Sequence, residues 1–187
     1  MITLLFGENS FEIDRECLRI SSDFNSELEK VEGSEIDKDS LYSVFTGQSL
    51  FNENRLVFLS RLSEQSELWN LLPEWSEKLT DTTHIVLVEG KLDKRTVTYK
   101  WLQKNVSTKE CTPWGERDSS TAESWAKHEA KALGIVLSPQ LVRYLVQRVG
   151  NDQWRLLRAL EKLQLVDEIT EGAINEHIDI HPEENVF

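Results

Sequence analysis

The sequence predicts an α/β fold: a three-layer domain on a mostly parallel sheet, followed by a small all-helical domain. Three observations predict it. Short, continuous apolar runs alternate with helix-period stripes up to about residue 112, and such runs mark strands covered on both faces, as in parallel sheets. Pro113, Gly115 and a polar run through Ser119-Ser120 then interrupt the pattern. Beyond them only helical periodicity remains, with a start and a stop signal at nearly every segment.

The first run, residues 2–6, ends at Gly7 and reads as a buried strand followed by a turn. Ile13, Cys17, Ile20 and Phe24 recur at i, i+4, i+7 and i+11, which is one face of a helix. Residues 29–35 carry a weak strand pattern. Asp37 can cap a helix that reaches about Gly47 and carries Leu41, Val44 and Phe45. The run Leu56-Val57-Phe58-Leu59 predicts a strand over 55–62. Leu68, Leu72, Trp75 and Leu79 form another helical stripe, but Pro73 inside it predicts a kink or a split. Ile85-Val86-Leu87-Val88 makes 83–89 the clearest strand. Asp93 can cap a helix bearing Val97, Trp101 and Leu102, and 108–112 reads as a last short strand.

In the second half, Ser120 and Glu123 fit a capping box ahead of Trp125, Ala126, Ala130 and Leu133. Gly134 stops that helix. Ser138-Pro139 starts the next one, whose apolar face holds Leu141, Val142, Leu145, Val146 and Val149. Gly150 stops it, and Asn151 or Asp152 opens a third with Leu156, Leu160 and Leu163. Thr170 opens a short fourth helix through about Ile178. The expected domains are therefore 1–118 and 119–180, with 181–187 beginning a linker.

Composition narrows the function. The chain has 187 residues and a net charge of −12, with acidic residues spread along its length. A protein that grips phosphates needs a basic face, so these residues alone make a poor nucleic-acid binder. No apolar run reaches about 18 residues, the length that spans a bilayer. The N-terminus, with no basic segment or small-residue cleavage site, does not read as a signal peptide, which favours the cytoplasm. Cys17 and Cys111 are too few for a disulfide framework or a zinc site and read as buried free thiols.

A search for chemistry finds little. The turn after the first strand is where a nucleotide-binding α/β domain carries its phosphate loop, which needs glycines and a Lys-Ser/Thr pair. Here it reads Gly7-Glu8-Asn9-Ser10-Phe11-Glu12, with one glycine, no lysine, and two carboxylates that would repel phosphate. Glu89 ends the strongest strand, where an NTPase would hold a metal-coordinating acid; a solvated or paired carboxylate is the plainer reading. His177 and His181 stand four apart, but Pro182 follows at once, which argues against a helical metal pair. Lys91, Lys94 and Arg95 form the densest basic cluster, beside Glu89 and Asp93. The six tryptophans are explained by packing, since stacking platforms for single strands come with positive charge. One segment stands apart. In Gly47-Gln48-Ser49-Leu50-Phe51-Asn52-Glu53-Asn54-Arg55, an adjacent apolar pair sits on a polar connection between a helix and a strand. Such a pair is either a protein contact or a plug folded inward.

Four strings then carry a resemblance. They are Leu4-Leu5-Phe6-Gly7-Glu8-Asn9-Ser10-Phe11; Gln48-Ser49-Leu50-Phe51 with Asn54-Arg55-Leu56-Val57; Val86-Leu87-Val88-Glu89-Gly90-Lys91-Leu92-Asp93-Lys94-Arg95; and Gly150-Asn151-Asp152 leading into Leu156 to Leu163. In order and spacing, across almost the whole chain, they resemble the delta subunit of the bacterial DNA polymerase III clamp loader. The resemblance implies an AAA+-like α/β domain with a degenerate nucleotide site and a helical lid domain. It also implies a collar domain that would begin about where this chain stops, so the chain reads as a front part. It implies no catalytic residue, no metal and no cofactor. The Ser-Arg-Cys motif by which other loader subunits offer an arginine to a neighbour's ATP is absent, and residues 108–114 hold no arginine.

The resemblance further implies that an apolar pair enters a pocket on the β sliding clamp and helps to open it. By motif position that pair is Leu50 and Phe51, with Gln48 and Ser49 as rim contacts. The implied partners are the β sliding clamp and, in the full-length protein, the other clamp-loader subunits, with DNA met only through the assembled complex. The implied setting is DNA replication, as a component of a DNA-directed DNA polymerase holoenzyme without activity of its own. The alternatives are an active AAA+ NTPase, a direct DNA-binding module and a structural adaptor.

Overall fold

The structure is a computed structural model that describes residues 1–24, 28–47 and 54–180. The chain divides into two compact units, Met1–Thr112 and Pro113–Phe187.

In the first unit, five strands form one sheet in the order β2-β3-β4-β1-β5: β1 (Ile2–Gly7), β2 (Leu28–Glu32), β3 (Arg55–Ser60), β4 (Thr83–Glu89) and β5 (Ser107–Cys111). All four pairings are parallel. The central strands are apolar at consecutive positions because both faces are covered. Ile2, Leu4, Phe6, Val57, Leu59, Ile85 and Leu87 share one buried cluster, and Leu5, Leu56, Phe58 and Val86 share another. Successive strand residues point to opposite faces, so the same runs feed both. The first cluster is completed by α2 (Lys38–Thr46), α3 (Ser66–Trp69), α4 (Leu72–Ser76) and α5 (Val97–Asn105), through Leu41, Phe45, Trp69, Leu72, Trp75, Tyr99 and Leu102. The second is closed by α1 (Ser10–Asp23), through Ile20 with Cys17 and Phe24 packed alongside. These are the three layers the sequence predicts.

Local chemistry explains where elements start and stop, and where two expectations were off. Pro73 splits the stripe from Leu68 to Leu79 into α3 and α4, since proline at the start of the second piece needs no amide partner. Asp93 does not cap α5. Its carboxylate takes the backbone and side chain of Arg95, and Thr96 caps the helix by accepting from Tyr99 N. The weakly patterned strand is β2, whose alternating exposure fits the rim of a sheet.

The second unit holds α6 (Ser119–Ala132), α7 (Pro139–Val149), α8 (Gln153–Leu163) and α9 (Glu171–His177) around one core. Ala122, Ala126 and Ala130 let α6 approach Val142, Leu145, Leu156 and Leu160 closely. The expected box at Ser120 and Glu123 is replaced. Asp118 Oδ2 accepts from Gly115 N at 2.8 Å, and α6 begins two residues early, at Ser119 after Asp118. Ser138, Asp152 and Thr170 cap α7, α8 and α9 by accepting from the amides of Leu141, Arg155 and Ala173. Trp114 and Trp125 meet edge to face at 5.8 Å. No helix among the described residues is long and apolar enough to cross a membrane.

Candidate functional site

Gln48, Ser49, Leu50 and Phe51 lie outside the described residues. Both ends of their segment are described, and one side chain joins them. Arg55 opens β3 with its guanidinium turned back over the end of α2. Its Nη1 donates to Val44 O at 2.7 Å and to Gly47 O at 3.4 Å. Its Nε and Nη2 donate to Glu29 Oε2 on β2 at 2.9 and 2.6 Å. A helix leaves its last carbonyls without amide partners and carries partial negative charge there, so a cation at this place is doubly favoured. Gly47 ends α2, donating to Ser43 O at 2.8 Å. A Cβ on it would lie 2.5 Å from Ser43 O and 3.1 Å from Arg55 Nη1, so close approach is what requires glycine here.

The turn after β1 lies where a parallel sheet of this order reverses direction, the usual ligand crevice of open α/β sheets. Here two of its amides are spent on the protein. Gly7 N donates to Gly90 O at 3.2 Å, and Asn9 N donates to Cys111 O at 3.0 Å. Asn9 Oδ1 accepts from Glu12 N at 3.1 Å, capping α1, and its Nδ2 donates to Thr112 O at 3.3 Å. Gly7 has φ of 131°, and a Cβ on it would collide with the carbonyl of Cys111.

Glu89, at the end of β4, is buried rather than solvated. Its Oε1 accepts from Leu62 N at 2.9 Å, and its Oε2 accepts from Ser63 Oγ at 2.6 Å and Ser63 N at 3.3 Å. Burial pushes the carboxyl up to about 7, against the pull of those donors. Both oxygens are occupied in holding the 3-10 turn Leu62–Glu64 that follows β3. Arg61 before that turn has φ of 55°, an uncommon backbone for a side chain of its kind, held by its N–H donating to Val88 O at 3.0 Å.

The basic cluster is largely balanced by neighbours. Lys94 pairs with Glu110 at 2.6 Å, and Arg95 with Asp93 at 2.9 Å. His181 lies outside the described residues, and among the described residues no group of His, Cys, Asp and Glu could hold a metal. Cys111 is buried, and Cys17 is half-buried, its thiol raised to about 11 by burial.

Residues 3–112, more than half the chain, match the family described as DNA polymerase III, delta subunit. The chain belongs to the DNA polymerase III delta subunit family. Solved structures agree on the fold. The Bacillus subtilis DNA clamp loader delta protein (YqeN) superposes with a TM-score of 0.65 at 18% identity, covering 96% of this chain and 58% of that one. The Thermotoga maritima RuvB Holliday junction branch migration motor superposes with a TM-score of 0.59 at 12% identity, covering 94% of this chain and 60% of that one. This chain thus spans well under two thirds of the solved structures it resembles. No curated protein matches it. The AAA+-like fold of this delta-family chain is therefore shared with proteins of very different sequence.

Sequence reasoning singled out the segment, whose residues 48–53 lie outside the described ones, and the turn after β1, but missed Arg55 and Glu89 as organisers. The signal for Arg55 was faint: an arginine opening a strand directly after a polar connection.

Proposed function

We propose that this delta-family chain binds the β sliding clamp through Leu50 and Phe51, with Gln48 and Ser49 at the rim, and helps to open the clamp for loading onto DNA. Family membership carries the reading, because the matched region spans the segment that holds the pair. Burying two such side chains is worth roughly 3–6 kcal/mol before the cost of association. Opening is driven by binding: the chain prefers a clamp strained toward the open state and shifts its population. DNA is reached through the assembled complex, in the cytoplasm, and the other loader subunits are partners of the full-length protein. The helical unit from Pro113 acts as the lid.

No ATP hydrolysis by this chain is part of the proposal. The reading is supported by the loop Gly7-Glu8-Asn9-Ser10, which has no lysine. It is supported also by the Gly7 and Asn9 amides, which donate to Gly90 and Cys111 carbonyls instead of facing a phosphate.

The test is calorimetric titration of the cognate clamp. Wild-type chain should bind, and Leu50→Ala with Phe51→Ala should weaken binding by about a hundredfold or more, with the circular dichroism spectrum unchanged. Equal affinity of the double variant would remove the pair from the interface. Measurable ATP binding or turnover by the chain would favour an active NTPase instead.

A further inference from the structure

One face of α8, in the second unit, carries three cations. Arg155, Arg158 and Lys162 stand at i, i+3 and i+7, a stripe roughly 10 Å long. All three are exposed and line one cavity of about 250 Å³. Among the described residues, none of the three side chains has a hydrogen-bond or ion-pair partner. This sets them apart in a chain with 33 acidic and 21 basic residues, where Arg19, Arg55, Arg61, Lys94, Arg95 and Lys109 each pair with a carboxylate. Arg158 and Lys162, four apart, also repel each other along the helix, a repulsion that a bound anion relieves. Asp152, the acid before Arg155, is spent as the cap of α8, its Oδ1 accepting from Arg155 N at 2.8 Å. Asp179 is the one acid on the described lining.

The floor of the cavity is apolar. Val149, Ala159 and Ile178 are buried there, and Ile180, 66% exposed, continues the lining. Arg148 fixes this wall, its Nε donating to Ile178 O at 2.6 Å and its Nη2 to Asn175 O at 3.1 Å. We propose that the cavity takes a short acidic peptide segment of another protein, with carboxylates on Arg155, Arg158 and Lys162 and an apolar side chain on the floor. The cations select an anion. The floor selects a peptide over a nucleic-acid strand, whose phosphates satisfy the cations but leave apolar surface uncovered. The net charge of −12 also opposes a long polyanion more than a short one. The volume lies below the roughly 300–1,000 Å³ usual for small-molecule sites, which leaves room for a side chain or two. The proposal lies wholly in the second unit and does not depend on the clamp reading.

Fluorescence anisotropy tests it. The full chain is titrated at low salt into a fluorescein-labelled peptide of glutamates ending in two leucines. Wild type is expected to bind with a Kd of about 100 μM or tighter. Arg158→Gln combined with Lys162→Gln should bind about tenfold more weakly, and Asp179→Asn about twofold more tightly. Arg143→Gln is the control on the same unit, since Arg143 pairs with Glu123 at 3.6 Å, and it should bind as wild type does. Peptides with glutamine for glutamate, or alanine for leucine, should each lose about fivefold. Absence of binding by wild type overturns the proposal, as does equal binding by the double variant. An equal loss in Arg143→Gln reduces the effect to general charge attraction and also overturns it. A thymidine oligonucleotide that binds more tightly than the peptide, and is lost in the double variant, assigns the cavity to nucleic acid instead. Should the double variant lose its fold by circular dichroism, Arg155→Gln alone carries the test, with an expected loss of about threefold; unchanged affinity there overturns the proposal.

Discussion

Glu89 makes the stability of the first unit depend on pH in a way that one substitution removes. The side chain is 2% exposed, and its carboxyl titrates at about 7 instead of 4.5 because burial disfavours the charged form. A raised carboxyl means that the folded state binds the proton more tightly than the unfolded chain does. Stability is therefore greatest below the unfolded value and falls as pH rises through the folded one. With these two values, on the order of 2–3 kcal/mol is lost between pH 5 and pH 8 through this group alone. Glu89→Gln keeps an oxygen for the Leu62 and Ser63 amides but cannot ionise, and the Ser63 hydroxyl can turn to accept from the new amide. Urea unfolding of wild type and Glu89→Gln at intervals from pH 5 to pH 8, followed by tryptophan fluorescence, checks this. Trp69 and Trp75 lie in the first unit's core and report on it. The difference in stability between the two proteins should move by roughly 2–3 kcal/mol in favour of the glutamine across that range. All other titrating groups cancel in the difference. Parallel pH profiles would refute the assignment of a neutral, buried Glu89 at low pH.

Two further expectations follow from backbone and caps. Gly7→Ala must relieve a collision with the Cys111 carbonyl and leave a positive φ at the same residue, so a loss of about 2 kcal/mol or more is expected, read as a lower urea midpoint of the first unit. Ser138→Ala removes the oxygen that accepts from Leu141 N at the start of α7 and should cost about 1 kcal/mol, read on the second unit by thermal unfolding.

The sheet was legible because its central strands are apolar over several consecutive positions, a pattern that two-sided burial produces. The split at Pro73 was legible for a covalent reason, the missing amide. β2 was blurred because a strand at a sheet's rim alternates and is short. Asp93 was misread as a cap because a carboxylate near a helix start has several amides within reach, and the winner, Arg95, is set by local turn geometry. Arg55 and Glu89 escaped for one shared reason. Their partners are mostly backbone groups, which no side-chain pattern records, and they come from 8 to 27 residues away in the chain. The pair Leu50 and Phe51 is proposed from the contrast with its polar flanks and from family likeness, and these are its support.

The outer strands of the sheet have a consequence for how this unit meets other molecules. β2 reads Leu-Glu-Lys-Val-Glu and β5 reads Ser-Thr-Lys-Glu-Cys, so each rim of the sheet carries a charged lysine and at least one glutamate. Both β2 glutamates, Glu29 and Glu32, are also engaged by Arg55 and Arg61. A rim of this kind resists the addition of a foreign strand, the commonest unplanned association of an open sheet. Recruitment by backbone pairing is thereby discouraged on both sides. Such rims let the first unit stay dispersed at high concentration, because a neighbouring chain finds no bare backbone edge to extend.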